Sequence, residues 1–275
     1  MQIALLHNMG FTGGAEQSAK YLLSQAPPAL HVTPTLDAGV LRGMDGAIVS
    51  GLEFTSRKTA RELFDVMLCR QIPYVVWDHH VNLGGLGPSD WNQLFLHARL
   101  AMFMSPLHLY WRKVAFGSSM ERCVCEVLPV GVDSTMFGLQ GVARDSQLAV
   151  CMMTRMETKA HEVWNWAAEN PDVRVRVYDS VSSMLPNVEV VGTVPRIQLP
   201  AIYASAAKHL DLPGRPTAGG NATYEAVLCG CEAITNPNVG AASWPWAWNE
   251  PAVLREKMIA GNLRFWELVG NALGG

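Results

Sequence analysis

Gly214-Arg215-Pro216-Thr217-Ala218-Gly219-Gly220-Asn221-Ala222-Thr223-Tyr224-Glu225-Ala226-Val227-Leu228-Cys229-Gly230-Cys231-Glu232-Ala233-Ile234-Thr235-Asn236 is the stretch on which the reading of the fold turns. Locally it is a glycine-bearing loop, a helix, a tight turn at Cys229-Gly230-Cys231 and a short strand. The Gly219-Gly220 pair lacks Cβ atoms, so the backbone there can come close to a ligand. Asn221 and Thr223 are residue types that cap a helix. The open N–H groups of the first turn, together with the helix dipole, favour an anion in the loop. Glu225 falls within the first turn or two, where a carboxylate reaches a sugar hydroxyl. An ordinary loop-to-helix junction fits the same residues, because a glycine-rich helix start has low specificity by itself.

The totals bound the alternatives. A chain of 275 residues suits one large domain or two modest ones. Its 49% hydrophobic content fills a core, and 16% charged residues is too few for a disordered chain. A formal net charge of -3 carries no basic signature for nucleic acid or anionic lipid, although a local patch is compatible with it. The six cysteines include two Cys-x-Cys pairs, Cys123/Cys125 and Cys229/Cys231, and no Cys-x-x-Cys of the zinc or redox kind. They read as reduced core cysteines rather than metal ligands. The N-terminus lacks a basic segment and a signal-length apolar run, and no run is long enough to span a bilayer. The expected location is the cytoplasm, with no transmembrane segment, no metal and no bound cofactor.

Outward from the opening stretch, strands and helices alternate. Ile3 to Leu6 is a buried strand ended by His7-Asn8-Met9-Gly10. Gly13-Gly14-Ala15-Glu16 follows and opens a helix to Ser24. Strand, glycine loop and helix begin a Rossmann-like unit, but the spacing is not G-x-G-x-x-G and does not support a dinucleotide site. Pro27-Pro28 breaks the helix, and turns run to Gly46. Ala47-Ile48-Val49 is a strand with Ser50-Gly51 at its carboxyl end, and Ser56 to Arg70 is an amphipathic helix. Pro73 to Trp77 is a strand with Asp78-His79-His80 at its carboxyl end, the end that lines the ligand crevice of open α/β sheets. Asp78 and His79 are the acid/base candidates there, since imidazole titrates near neutrality. Hydrogen-bonded structural histidines, or a metal site still short of a third ligand, fit the same residues. The loop 82–88 is an acceptor lid or a simple link.

The second half restarts the alternation with a strand from Leu148 to Met153. Arg155 and Lys159 follow, then a helix from Ala160 to Asn170 and strands at 173–178, 188–191 and 210–212. Trp244-Pro245-Trp246-Ala247-Trp248 reads as a segment pinned to a core, with stacking on sugars or bases as the other use. Two helices, near 251–260 and 263–272, end the chain.

Several of these segments together resemble the GT-B glycosyltransferases, and most closely the large retaining family 4. They are Gly13-Gly14-Ala15-Glu16, Leu128-Pro129-Val130-Gly131-Val132-Asp133, Arg155 with Lys159, Gly192-Thr193-Val194-Pro195, and Gly219 to Asn236 with its Glu-Ala and Cys-Gly turn. The resemblance implies an α/β fold of two Rossmann-like domains facing across a cleft. They would be an acceptor domain of residues 1–132 and a nucleotide-sugar domain of residues 133–275 whose last helices cross back. It implies transfer of a hexosyl or pentosyl unit, with retention, from a nucleoside-diphosphate sugar such as a UDP-sugar to a hydroxyl acceptor of unread identity: a glycan, a small molecule or a modified base of DNA. A non-catalytic nucleotide-sugar binding protein and a sugar-nucleotide epimerase are rival expectations. On this resemblance the diphosphate is held by Arg155, Lys159 and the amides of Gly219, Gly220, Asn221, Ala222 and Thr223. Glu225 takes the ribose, Val194 the base edge, and Gly13 and Gly14 lie by the transferring sugar. The family's first motif glutamate is replaced by Thr217, which removes a carboxylate that usually contacts the donor sugar. Val130 stands for the family's asparagine, the order around His79 is reversed, and Arg155 and Lys159 are one residue closer than usual.

Overall fold

The computed structural model describes residues 1–10, 13–52, 55–79, 86–139, 141–152, 160–178, 183 and 185–274. The chain divides into two compact units, Met1–Gly131 with Ile259–Gly275, and Val132–Met258. Each is a parallel-sheet α/β domain.

The first unit contains β1 (Gln2–Leu6), α1 (Gly14–Ser24), β2 (His31–Pro34), α2 (Ala38–Leu41), β3 (Gly46–Val49), α3 (Arg57–Cys69), β4 (Tyr74–Asp78), α4 (Pro88–His97), β5 (Leu100–Phe103), α5 (Pro106–Arg122) and β6 (Cys125–Val127). Its strands are all parallel, in the order β2-β1-β3-β4-β5-β6. Every residue of β3, β4 and β5 is buried, and apart from Asp78 at the end of β4 these strands are apolar runs with no polar alternation. Helix α3 starts where the Ser56 hydroxyl accepts the Thr59 N–H at 3.1 Å, and it buries Ala60, Leu63, Phe64 and Met67 at helical spacing. Helix α5 starts where the Ser105 hydroxyl accepts the His108 N–H at 3.2 Å, and it kinks at Gly117.

The second unit contains β7 (Asp145–Met152), α6 (Ala160–Glu169), β8 (Arg174–Tyr178), β9 (Val188–Val190), a 3-10 turn (Arg196–Gln198), α7 (Leu199–Ser205), β10 (Ala206–Asp211), α8 (Asn221–Leu228) and β11 (Glu232–Thr235). Its parallel order is β11-β10-β7-β8-β9. The tryptophan-rich segment packs on this unit's core through Trp244, Trp246 and Trp248, and the Trp244 indole N–H donates to the Tyr224 hydroxyl at 2.6 Å.

Three local expectations are corrected. The region read as turns before Gly46 holds β2 and the short helix α2. The strand lies at the sheet edge, largely exposed, and His-Val-Thr-Pro carries no apolar run to announce it. One continuous helix, α9 (Pro251–Gly274), replaces the two expected at the end of the chain. The cysteines are all reduced, but Cys69 is exposed and Cys125 half-buried, so they are not uniformly core residues.

Helix α9 serves both units. Its Leu254 and Met258 belong to the second unit's core, and Arg255 donates to the Phe137 carbonyl at 3.1 Å. Further on, Phe265 meets Trp77 edge to face at 5.1 Å, and the Trp266 indole donates to the Leu22 carbonyl at 3.1 Å. At Gly261 the helix lies directly on the chain at Pro129. A Cβ there would stand 2.4 Å from the Pro129 carbonyl oxygen. Two residues beyond that carbonyl, the Gly131 N–H donates to Asn262 Oδ1 at 3.0 Å, so the segment is fastened to the helix and cannot yield. Helix propensity alone favours Gly261→Ala by about 1 kcal/mol. Overpacking against backbone costs about 1–3 kcal/mol, so the substitution is expected to lower the Tm, which thermal unfolding reads directly.

Candidate functional site

In the second unit, the glycine loop leaves the carboxyl end of β10 and enters α8. Two asparagine amides, Asn236 and Asn238, donate to the Pro213 carbonyl at 2.9 and 3.0 Å. The Thr217 N–H donates to the Asn238 carbonyl at 2.8 Å, and the Thr217 hydroxyl accepts the Gly240 N–H at 3.2 Å. The Gly219 carbonyl accepts the Ala241 N–H at 2.6 Å. Thr217, in the place of the resembled glutamate, thus ties the loop to the turn after β11.

The cap of α8 is Gly220, in the left-handed region at φ 119°, and no side chain caps the helix. This corrects the capping expected of Asn221 and Thr223, which lie inside the first turn. Gly220 is the residue type the conformation needs, since a side chain there is strained whatever the space. The Thr223 hydroxyl donates to Asp211 Oδ2 at 2.7 Å, tying the helix back to β10, and Ala222 packs partly against the core. Because the first-turn amides of a helix have no partner within it, an entry without a side-chain cap favours an anion at this end.

Glu225 is buried one turn further on, and its Oε1 accepts from Arg196 Nη2 at 2.6 Å. Arg196 begins the 3-10 turn two residues after Val194, so this pair joins the Val194 loop to α8. The Arg196 guanidinium also sits over the Phe137 ring, 5.0 Å from its centroid. Sequence reading missed Arg196; its only signal was a basic residue beside the loop assigned to the base. Burial pushes the Glu225 carboxyl up to about 7, with Arg196 pulling it the other way. A folded pKa above the unfolded one favours the protonated form. Its contribution is present at acid pH and is lost as pH rises through about 7. Stability is therefore expected to fall between pH 5 and 8 by more in the wild type than in Glu225→Gln, as read from Tm at each pH.

In the first unit, Gly13 precedes α1 in extended backbone, and the Glu16 carboxylate folds over it, 2.7 Å from where a Cβ would stand. Asp78 ends β4, and the contacts that hold it include Arg112 Nε donating to Oδ2 at 2.5 Å, Arg112 Nη2 donating to Oδ1 at 3.1 Å, and His108 Nε2 at 3.3 Å from Oδ2. Burial alone would raise the Asp78 carboxyl, but Arg112 and His108 outweigh it and hold the group well below the usual carboxylate range. A carboxylate so placed accepts no proton near neutrality and anchors α5 to β4. His79 is buried beside it, its ring 4.2 Å from that of Trp77. Its Nε2 is in short contact with Ser50 Oγ, which also lies 3.2 Å from His7 Nδ1. Burial lowers the pKa of His7, with the Ser50 carbonyl and Glu16 opposing.

Arg155 and Lys159, and with them His80 and most of the loop 82–88, lie outside the described residues. Among the described residues, no three His, Cys, Asp or Glu side chains gather as a metal site, and no helix is long and apolar enough to cross a membrane.

The fold is that of the GT-B glycosyltransferases. Solved structures similar to the chain include HepE of Anabaena in complex with UDP and glucose, with a TM-score of 0.65 and 14% identity over 100% of this chain and 94% of that one. The sucrose-phosphate synthase of Thermosynechococcus elongatus gives a TM-score of 0.65 and 13% identity over 100% and 93%. A glycosyltransferase of Rickettsia africae gives 0.67 and 12% over 99% and 98%. No protein-family model matches the chain, and a search of curated proteins finds no match.

Proposed function

We propose that the chain transfers a sugar from a nucleoside-diphosphate sugar, a UDP-sugar, to a hydroxyl acceptor with retention at the anomeric carbon. The observation that carries this reading is the entry to α8: a left-handed glycine, no side-chain cap, and a loop stitched in place beside it at the carboxyl end of β10. That is an anion site of the kind a diphosphate fits. The amides of Gly219 to Thr223 and the cations Arg155 and Lys159 hold the diphosphate. Arg196 takes Oε1 of Glu225 and leaves Oε2 for a ribose hydroxyl, while the Val194 backbone meets the base. In the first unit, Gly13, Gly14 and His79 serve the transferred sugar. The neighbours that bind UDP support the donor class.

The test is a thermal-shift screen of UDP-, GDP- and ADP-sugars, followed by an assay for released nucleoside diphosphate. A donor at a hundred times its Kd raises stability by about 2.7 kcal/mol. A protein that no sugar nucleotide stabilises loses the donor reading. One that binds a UDP-sugar but never releases UDP with any acceptor is a binding protein, and the transferase reading fails.

A further inference from the structure

The guanidinium that meets Glu225 is held at both ends. At its base, Arg196 leaves a 3-10 turn closed by the Gln198 N–H, which donates to the Pro195 carbonyl at 2.9 Å. At its head, the group sits over the fully buried Phe137 ring and donates through Nη2 to Glu225 Oε1 at 2.6 Å. A cation stacked on a ring and bonded to a carboxylate keeps little freedom. The Glu225 side chain is 4% exposed and that of Arg196 28%, so water does little for the carboxylate while the guanidinium keeps an open side.

We propose that Arg196 is a positioning residue that aims the Glu225 carboxylate and keeps it charged, so that a ribose diol is gripped only while this pair is intact. The inference rests on the reading of this unit as a nucleotide-sugar site. An ionised carboxylate accepts from two hydroxyls at once, whereas a protonated one carries its own O–H donor and has less acceptor capacity left. Hydrogen bonds to a charged acceptor are also roughly twice as strong as neutral ones. Burial already pushes the Glu225 carboxyl up to about 7, with Arg196 opposing. Ribose binding favours the ionised form, so donor affinity rises with pH through about 7 and levels off above it. Without Arg196, burial acts without that opposition, and the rise moves to higher pH.

The titratable groups around Glu225 do not supply this rise. Burial holds the Tyr203 hydroxyl of α7 well above its ordinary value and pushes the Cys229 thiol of α8 up to about 11, so both stay neutral. Arg144, whose Nη2 donates to the Cys229 carbonyl at 2.9 Å, and Arg255 of α9 are permanent cations. On β10, Asp211 accepts from Thr223, and His209 lies against the Tyr203 ring, edge to face at 5.5 Å. Glu225→Gln keeps all of these groups, so a rise that it abolishes belongs to Glu225.

The test is calorimetric titration of the full chain with UDP-, GDP- and ADP-glucose at a series of pH values. Neither phosphate of a sugar nucleotide has a second proton to lose, so the charge of the ligand stays constant. Carbon NMR of the ligand-free protein labelled with 13C-glutamate follows the Glu225 carboxyl, assigned by its absence from Glu225→Gln. In the wild type, affinity is expected to rise through about 7, and the 2′-deoxy counterpart to bind about 10- to 100-fold more weakly. Arg196→Gln is expected to bind about 10- to 100-fold more weakly at neutral pH and to lose the preference for ribose. It should regain part of its affinity at higher pH, which a merely structural role does not give. Arg196→Lys restores the charge without the planar fork and should recover part of the loss. A wild-type affinity that is flat with pH overturns the inference, and this measurement needs no variant to fold. A folded Arg196→Gln whose pH profile and Glu225 titration match the wild type also overturns it. Both of these outcomes leave nucleotide-sugar binding standing. If none of the three nucleotides binds at any pH, the donor reading falls and this inference falls with it.

Discussion

Arg112→Ala is expected to destabilise the first unit by about 3–5 kcal/mol, the cost of removing the guanidinium from a buried carboxylate. Asp78 is 3% exposed and Arg112 is 2% exposed, so solvent cannot replace the lost guanidinium. The pair is bidentate, and the guanidinium lies 5.0 Å from the Trp91 ring centroid and 5.7 Å from that of Phe116, so truncation also empties an aromatic cage. Arg112→Lys keeps the charge but not the fork, and should recover only part of the loss. Urea unfolding reads the effect, and a change under about 1 kcal/mol would show that the pair does not hold α5 to β4. The sign with pH is fixed by the depressed Asp78 carboxyl. Its contribution is full above the ordinary carboxylate pKa and is lost as pH falls below it, so the wild type should lose its excess stability over Asp78→Asn on acidification. A loss of activity in Asp78 variants accordingly reports folding before it reports chemistry.

The second large effect is kinetic. Arg155→Ala and Lys159→Ala are each expected to raise the transfer barrier by on the order of 2–4 kcal/mol, about 30- to 1,000-fold in kcat/KM. The departing nucleoside diphosphate gains negative charge as the glycosidic bond breaks, and a fixed cation is worth most where charge develops. On the proposed reading the loss should fall mainly on kcat, because ground-state binding would also draw on the amides at the start of α8. Steady-state kinetics of donor hydrolysis separates the two constants. An effect confined to KM would make these residues ground-state binders only.

Much of this was legible in the sequence because burial on both faces writes a strand as an unbroken apolar run. Ala47-Ile48-Val49 and Tyr74-Val75-Val76-Trp77 announce β3 and β4, and the glycines of 219–220 announce the entry to α8. What was not legible is pairing between distant residues. Arg196 meets Glu225 across 29 positions, and Arg112 meets Asp78 across 34, with no local pattern to mark either bond. Thr217 looked like a missing carboxylate; only the fold shows its hydroxyl fastened to Gly240. The edge strand β2 was illegible for the opposite reason, since an exposed strand ending in proline has no apolar signature.

Because Ile259–Gly275 completes the unit that Met1–Gly131 begins, the half made first on the ribosome is finished last. Trp77 and Leu22 wait for Phe265 and Trp266, which emerge only after the whole intervening unit. A nascent chain stalled near residue 131 should be chaperone-bound and protease-sensitive, and a separately supplied C-terminal helix should rescue it.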